Sequence, residues 1–393
     1  METADESAPT APPGTARRTH GFTESVIRGM TRLARKHGAV NLAQGFPDFP
    51  APDLIKREGQ RAIADGINQY AITWGSDRLR EAIAEHQDEH YGLDVDPDRE
   101  ITVACGATEA MASTFLALVN PGDEVVILEP FYENYGPDAE LCGAEPVFVP
   151  LAEDRTIDLE RLERAFGDQT RAVVLNTPNN PTGRVFDRRE MEGVAELCRR
   201  HDAYVFTDEI YEHIWYEGEH RSMASLPGMR DRTVTVSGAS KTFSITGWRI
   251  GWIVAPPEAT DAIRKVHDFL TVGAPAPLQE GVAGGLEELG ADYYERLEAD
   301  YRRRREILHE ALTAAGFRCS RPEGAYYVLA DFSGVSDLPD DEFARWLTRE
   351  VGVAPVPGSS FFSDPERGRD LVRFAFCKTE ETLEKAAGRL ASL

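Results

Sequence analysis

The sequence lacks the residue patterns that cross-link small secreted domains or hold structural metals. It has only five cysteines among 393 residues, and no two of them form a CxxC pair. The nine histidines are dispersed along the chain, and no Cys/His cluster has metal-ligand spacing. We therefore expect neither a disulfide framework nor a zinc site, and no metal at the functional site.

Long hydrophobic runs are also absent, because no apolar stretch reaches the roughly 20 residues that a membrane-spanning helix needs. Residues 1–18 combine Ala, Pro and Thr with acidic residues and lack an apolar core, so they fit neither a secretory nor a transit signal. We predict a disordered tail here, in a cytoplasmic protein that does not bind membranes.

Positive charge is scarce. The formal net charge is −24, and the run from Arg302 to Arg305 is the only strong basic cluster, which we assign to a solvated helix face. A phosphate backbone attracts a basic surface, so nucleic acid is excluded as a partner. We also do not expect a ligand-sensing transcription regulator, since residues 1–18 are too short and too acidic for the helix-turn-helix that such a protein needs.

What the chain does contain is an alternation of short apolar strands and helices. With 393 residues it is long enough for two domains. Residues 45–285 predict a large α/β domain with a largely parallel sheet. Residues 286–393 predict a smaller α+β domain, which residues 19–44 complete with a helix from Phe22 to Lys36.

One stretch, Ser237 to Trp252, carries an unusual set of polar groups between two apolar segments. The flanking segments read as strands, which places Lys241 on a turn at the edge of the sheet. A lysine amine in that position can form a Schiff base with a carbonyl compound. Arg249, eight residues later, can hold a phosphate through its planar guanidinium group.

Further polar groups stand where other predicted strands end. The strand at 101–104 runs through a glycine turn into a helix, a layout that aims free N–H groups at an anion. The later strand ends carry an aromatic ring, an amide, a carboxylate and a phenol: Tyr132, Asn180, Asp208 and Tyr211. Together with the lysine and the arginine, this set fits pyridoxal 5′-phosphate, whose ring nitrogen an aspartate keeps protonated.

Several motifs add a family resemblance, and they run in order from Asn41 to Lys378. They are NLAQGFPDFPAP, NQYA, GATEAM, EPFYENYGP, NTPNNPTG, TDEIYEHIWY, SGASKTFSITGWRIGW and RFAFCK. The sequence resembles the class I/II aminotransferases of the fold-type-I pyridoxal phosphate enzymes, and within them the kynurenine, glutamine and methionine aminotransferase group. The resemblance implies a transaminase that moves the amino group of an L-amino acid to a 2-oxo acid by ping-pong steps.

The resemblance also implies a role for each residue around the cofactor ring. Lys241 forms the Schiff base and then moves the Cα proton of the substrate. Asp208 pairs with the pyridinium nitrogen. Tyr211 and Asn180 bond the 3′-oxygen of the ring, and Tyr132 stacks on the ring.

The phosphate and the substrate carboxylate are assigned in the same way. The predicted phosphate cradle consists of Gly106, Ala107, Thr108 and Arg249. Tyr70 from the partner subunit of a homodimer is expected to help these residues hold the phosphate. Arg373 clamps the substrate α-carboxylate, beside Asn180 and the backbone of Gly45. By analogy, two peptide bonds are expected to be cis: Glu129–Pro130 and Asn180–Pro181.

Two positions depart from the family pattern. Many relatives carry a phosphate-binding serine where this chain has Gly238, which leaves Ser237 and Ser240 as alternative candidates. Animal relatives carry an aromatic substrate contact where this chain has Gly273, so kynurenine itself is in doubt.

The donor is predicted to have a bulky neutral or aromatic side chain. The reason is a group of aromatic residues around the expected approach to the site: Phe22, Phe46, Tyr70, Trp74 and Tyr132. A cysteine-conjugate β-lyase and an amino-acid oxidase are the alternatives, since both would use the same cofactor residues. Pyruvate and ammonia formed without an oxo-acid acceptor would indicate elimination, and a requirement for oxygen would indicate oxidation.

Overall fold

The computed structural model describes residues 24–393, together with Gly14, Ala16 and Thr19. The other residues of the predicted tail, and Phe22 at the predicted start of the first helix, lie outside the described residues. The helices are α1 Val26–His37, α2 Asp53–Ala64, α3 Asp77–Tyr91, α4 Ala107–Leu118, α5 Tyr135–Cys142, α6 Leu159–Ala165, α7 Arg188–Arg200, α8 Ala239–Thr242, α9 Pro257–Thr271, α10 Ala276–Glu288, α11 Ala291–Ala314, α12 Asp340–Trp346 and α13 Glu380–Leu390. The strands are β1 Val40–Asn41, β2 Ile101–Ala104, β3 Glu124–Glu129, β4 Glu145–Pro150, β5 Thr170–Asn176, β6 Tyr204–Asp208, β7 Thr233–Gly238, β8 Gly251–Val254, β9 Tyr327–Asp331, β10 Val353–Ala354, β11 Val356–Pro357 and β12 Leu371–Ala375.

The main sheet has seven strands in the order β2-β8-β7-β6-β5-β3-β4. Strands β3 to β7 pair in parallel, while β8 runs antiparallel to both of its neighbours, β7 and β2. The predicted α/β class with a largely parallel sheet is therefore confirmed. Of the helices described, none is both long and apolar enough to cross a bilayer.

Both faces of this sheet are buried, which explains why its strands are nearly continuous apolar runs. Successive side chains of a strand point to opposite faces. In β3, Val125 and Ile127 join a core with helices α4, α5 and α9, whereas Val126 and Leu128 join another with α6 and α7. Helices α2, α3 and α10 cover the β2–β8 end of the sheet.

A second region is built from the two ends of the chain. Strands β11, β12 and β9 form an antiparallel sheet, and β1 pairs in parallel with β10. The segment before residue 45 thus joins the C-terminal part of the chain through hydrogen bonds such as Val40 N–H to Gly352 O, 2.8 Å. The domain boundaries at 44/45 and 285/286 stay predictions.

The charged helix α11 is less solvated than the sequence suggests. Arg305 is 2% exposed and donates a 2.7 Å hydrogen bond to the carbonyl oxygen of Pro322. Tyr293 is partly buried and donates to the carbonyl oxygen of Thr242 at 2.6 Å. The prediction of a solvated face for the run from Arg302 to Arg305 is therefore wrong for Arg305, because its guanidinium group is buried against Pro322. Through Tyr293, α11 also contacts the short helix that carries Lys241.

Two glycines let α4 begin directly against the sheet. Gly238 of β7 pairs with Gly251 of β8. A Cβ on Gly251 would lie 2.6 Å from the backbone nitrogen of Ala107, and one on Gly238 would lie 2.8 Å from the Cα of Gly251. A serine at position 238 therefore does not fit this backbone, which gives a physical reason for the departure from the family pattern.

We predict that Gly251→Ala lowers the thermal unfolding midpoint, because the added methyl group meets rigid backbone and such overpacking costs about 1–3 kcal/mol. The matched control is Gly247→Ala in the loop before β8. No described atom beyond its chain neighbours would lie within 4 Å of a Cβ there. Equal unfolding midpoints for the two variants, measured by circular dichroism, would contradict the proposed close approach.

Candidate active site

A cavity of about 190 Å³ opens at the edge of the main sheet, where the parallel strands end. Helix α1 and strand β12 contribute the other walls. Most of the predicted site residues line this cavity: Gly45, Ala107, Thr108, Tyr132, Asn180, Asp208, Tyr211, Ser240, Lys241, Arg249 and Arg373. Gly106 lies directly behind it at the start of α4. The structure thus gathers residues that are spread over more than 300 positions of the sequence.

Lys241 lies on the short helix α8, directly after β7, and not on the turn that the sequence predicted. The glycine at the end of β7 and the small residues after it allow one helical turn to form at once. Its Nζ atom is 3.3 Å from the carbonyl oxygen of Gly45 and 5.9 Å from the centre of the Tyr211 ring. Burial lowers the pKa of Lys241 to about 8, so a fraction of this amine is neutral near neutral pH.

Asp208 ends β6 and is 8% exposed. Its Oδ2 atom accepts a hydrogen bond of 2.7 Å from the hydroxyl group of Tyr135. Burial raises the pKa of Asp208 above its usual range, and the Tyr135 hydroxyl acts in the opposite direction. Sequence reasoning missed Tyr135, although it is the second tyrosine of the motif EPFYENYGP and begins α5.

Tyr211 and Asn180 both line the cavity, and each contacts a residue of the small sheet, Tyr327 of β9 and Arg373 of β12 respectively. The hydroxyl groups of Tyr211 and Tyr327 are 3.1 Å apart, and burial raises the pKa of Tyr211 well above its usual range. The Oδ1 atom of Asn180 accepts a 2.7 Å hydrogen bond from Arg373. Tyr327 is a second residue that the sequence did not single out, because an aromatic in a strand usually belongs to the core.

Arg373 is buried in the centre of β12, at 1% exposure. Besides Asn180, its guanidinium group donates to the carbonyl oxygen of Ala43 at 2.8 Å and lies 4.2 Å from the centre of the Tyr327 ring. Its buried Nε atom has no partner within residues 24–393. A buried cation with an unused donor is suited to an anionic ligand.

The anion cradle is formed by the start of α4 and by Arg249. Gly106 has a φ angle of +82°, and a Cβ there would lie 2.3 Å from Nη2 of Arg249. Glycine is therefore needed for the guanidinium group to lie over the helix start. Ala107 and Thr108 of the first turn, Ser240 and Arg249 all line the cavity, and the first turn of a helix has free N–H groups for an anion.

The structure distinguishes the two serine candidates. Ser240 lines the cavity, whereas Ser237 does not and instead donates to the buried carboxylate of Glu212 at 2.5 Å.

The two predicted cis bonds, Glu129–Pro130 and Asn180–Pro181, are present, and Thr177–Pro178 is also cis.

Of the aromatic residues that suggested a bulky substrate, Phe22 lies outside the described residues, and Tyr132 alone of the other four lines this cavity. The ring centre of Phe46 lies 4.0 Å from Nζ of Lys378, and the ring centre of Trp74 lies 4.9 Å from the guanidinium carbon of Arg264. Tyr70 is 87% exposed and does not line the cavity of its own chain. Phe46 and Trp74 thus make cation–π contacts outside this cavity.

The donor set fits pyridoxal phosphate. An N-terminal helix turn with Arg249 provides a phosphate site. The buried carboxylate of Asp208 suits a protonated ring nitrogen. The lysine of lowered pKa suits attack on an aldehyde. The fold and this donor set define the class of protein, a fold-type-I transferase whose family uses pyridoxal phosphate.

The chain belongs to the aminotransferase class I and II family, which it matches over residues 37–390. It is 40% identical to the probable N-succinyldiaminopimelate aminotransferase of Mycobacterium tuberculosis, covering 96% of this chain and 98% of the relative. A solved structure of the M. tuberculosis N-succinyldiaminopimelate aminotransferase has a TM-score of 0.94, with 39% identity, and covers 96% of this chain and 100% of that one.

Two further relatives are similar over the same length. The methionine aminotransferase of Escherichia coli is 39% identical, covering 94% of this chain and 96% of the relative. The human kynurenine–oxoglutarate transaminase 1 is 36% identical, with the same coverage of 94% and 96%. The chain is thus an aminotransferase that moves an amino group to a 2-oxo acid, and the resemblance stated from its motifs is confirmed.

We predict that Tyr135→Phe lowers turnover about tenfold or more, since a hydrogen bond to a charged group contributes about 1.5–3 kcal/mol. Loss of the hydroxyl raises the pKa of Asp208 further, so its carboxylate becomes protonated at a higher pH. The acidic limb of the activity profile should therefore move to higher pH.

The control is Tyr301→Phe, because the buried hydroxyl of Tyr301 has no partner in the described part of the chain. A Tyr135→Phe enzyme with the turnover and pH profile of the control would show that this hydrogen bond does not tune Asp208.

Proposed function

We propose that this aminotransferase uses pyridoxal 5′-phosphate to transfer the amino group of a bulky neutral or aromatic L-amino acid to a 2-oxo acid. The observation that carries the proposal is the convergence of Lys241, Asp208 and Arg373 in one cavity beside an anion cradle. The three groups come from three different elements. Asp208 ends β6, Lys241 lies on α8 directly after β7, and Arg373 belongs to β12.

The cofactor would be held by groups of opposite charge at its two ends. Ala107, Thr108, Ser240 and Arg249 would bind the phosphate, and Asp208 would bind the ring nitrogen. When bound, the cofactor supplies an electron sink for the negative charge left at the substrate Cα. Tyr132 would cover one face of the ring, and its place in the cavity wall, with its ring centre 5.8 Å from that of Tyr135, supports that role.

Lys241 would move the proton at the substrate Cα. Its amine has a pKa of about 8 because it is buried, so it can accept and return a proton near neutral pH. Its position between Gly45 and the Tyr211 ring restricts where Nζ can point. This arrangement supports proton transfer at a single carbon of the bound substrate.

Arg373 would orient the substrate through its α-carboxylate. Asn180 and the carbonyl oxygen of Ala43 already fix the plane of the guanidinium group. A carboxylate held by a fixed, buried arginine places the adjacent Cα reproducibly. Ile27 of α1, which lines the cavity and is buried, would help to exclude water.

The side chain of the donor would extend toward α1. Two of the relatives are named for methionine and kynurenine as substrates. Both amino acids have bulky neutral side chains, which supports the proposed class of donor. A second class is favoured by one observation: Arg28, an exposed arginine, also lines the cavity. It could pair with a distal carboxylate, as in a dicarboxylic oxo acid or an N-succinyl donor.

The decisive experiment is anaerobic addition of single L-amino acids to the purified protein with its cofactor bound. Methionine, glutamine, phenylalanine, kynurenine, aspartate and N-succinyldiaminopimelate would be compared. We expect the visible band of the bound cofactor to disappear with a bulky neutral donor and to return with a 2-oxo acid. Aspartate or N-succinyldiaminopimelate as the best donor by a wide margin would contradict the proposed side-chain class.

Lys241→Ala is the catalytic control in this assay. We expect it to fold, to bind the cofactor non-covalently and to lose about 10²–10⁴-fold in rate. Lys265→Ala, at an exposed lysine paired with Asp261 on α9, should behave as wild type. Pyruvate and ammonia without an acceptor would indicate elimination instead, and oxygen dependence would indicate oxidation.

We also propose that the enzyme is a homodimer in which Tyr70 of the partner subunit completes each phosphate site. The exposure of Tyr70 in its own chain supports this arrangement. Chains carrying Tyr70→Ala and chains carrying Lys241→Ala can be co-expressed with different tags and purified as a mixed dimer. One of its two sites would be complete, so it should recover about half of the wild-type activity.

The two parent homodimers are the controls for this experiment. A mixed dimer no more active than the mean of its parents would contradict the shared site. Full activity in the Tyr70→Ala homodimer would remove Tyr70 from the phosphate site.

A further inference from the structure

Three histidines form a cluster away from the cavity. His86 and His90 belong to α3, and His213 follows β6. One ring nitrogen from each lies within 4.8 Å of the others, and the Nε2 atoms of His86 and His213 are 2.7 Å apart. The sequence did not suggest a metal site, because the third histidine is 123 residues after the second in the chain.

Local structure explains why the rings meet. His86 and His90 are four residues apart, so they lie on one face of α3. Their rings stack with centres 4.2 Å apart, and the His213 ring meets both edge-on at 4.9 Å. Tyr294 of α11 closes the cluster, with its ring centre 4.4 Å from that of His213.

The hydrogen bonds of His90 resemble those of a metal ligand. Its Nδ1 atom lies 3.1 Å from the carbonyl oxygen of His86, which can only accept, so Nδ1 carries the proton. In the neutral ring the Nε2 atom therefore has the lone pair. Metal-bound histidines almost always donate their other ring nitrogen to such a partner.

The other two rings meet through their ring nitrogens. His86 is buried and His213 is partly buried, and their Nε2 atoms lie 2.7 Å apart, so one of these atoms donates a proton and the other offers a lone pair. Neutral imidazole is the form that binds metal ions.

We propose that His86, His90 and His213 form a binding site for a divalent transition-metal ion such as Zn²⁺. Three imidazoles with a fourth position for water are a common set for such ions. Metal–nitrogen bonds of about 2.0–2.1 Å require the Nε2 atoms of His86 and His213 to separate to about 3.3 Å, a small movement. His90 is exposed and provides the path of entry.

The ion would connect α3 to the turn that follows β6. That turn carries Tyr211 and Glu212, while the ion itself stays outside the catalytic cavity. We therefore expect the ion to raise the stability of the protein without taking part in the reaction. The alternative is that the three imidazole rings pack these elements together without any ion.

The test uses Co²⁺ as the probe, titrated into the metal-free holoenzyme. We expect intense visible d–d bands that saturate at one Co²⁺ per chain and disappear when Zn²⁺ is added. His90→Ala should weaken Co²⁺ binding at least about tenfold. Zn²⁺ should raise the thermal unfolding midpoint of the wild type but not of this variant.

The matched control is His37→Ala, because His37 is also an exposed histidine in the last turn of a helix, α1. It should bind Co²⁺ as the wild type does. His213→Gln provides a second ligand deletion, so the test does not depend on buried His86. Unchanged Co²⁺ affinity in both His90→Ala and His213→Gln, or no binding by the wild type, would overturn the proposal.

Discussion

The parallel pairing of β6 between β5 and β7 is the constraint on which the site depends. It sets Asp208 opposite Asn176 on one side and Val236 on the other. Because the strands run in the same direction, their carboxyl ends meet at one edge of the sheet. The short turns that follow need only a few residues to bring Asn180, Tyr211 and Lys241 to one cavity. Register, more than any single contact, therefore determines the geometry of the active site.

Burial at that edge acts on the two charged groups in opposite directions. It raises the pKa of Asp208 and lowers that of Lys241, since both shifts disfavour the charged form. Each group is thereby prepared for a partner, Asp208 for a cation and Lys241 for an electrophile. The apolar faces of the same sheet stabilise the fold that imposes this burial. The stability of the sheet thus maintains the burial that shifts the pKa values of Asp208 and Lys241.

Much of this could be predicted from the sequence, since strand ends are readable and Lys241 and Asp208 follow them directly. Tyr135 could not, because a tyrosine at a helix start gives no local sign that its hydroxyl reaches a carboxylate 73 residues away. The choice between Ser237 and Ser240 also required coordinates, as it depends on where β7 directs Ser237 and where α8 directs Ser240. Trp74 misled for the same reason, since its partner Arg264 is distant in sequence.

The histidine cluster adjoins a carboxylate that connects it to the catalytic segment. Glu212, next to His213, accepts hydrogen bonds from Tyr91 of α3 at 2.6 Å and from Ser237 of β7 at 2.5 Å. Burial raises its pKa to about 7, against the effect of both donors. Because β7 leads directly into Lys241, α3 supports the catalytic helix through this carboxylate. An ion bound by the histidines would hold α3 and the turn after β6 together at the same place, outside the catalytic cavity. We therefore expect the ion to affect the stability of the protein and not the chemical step.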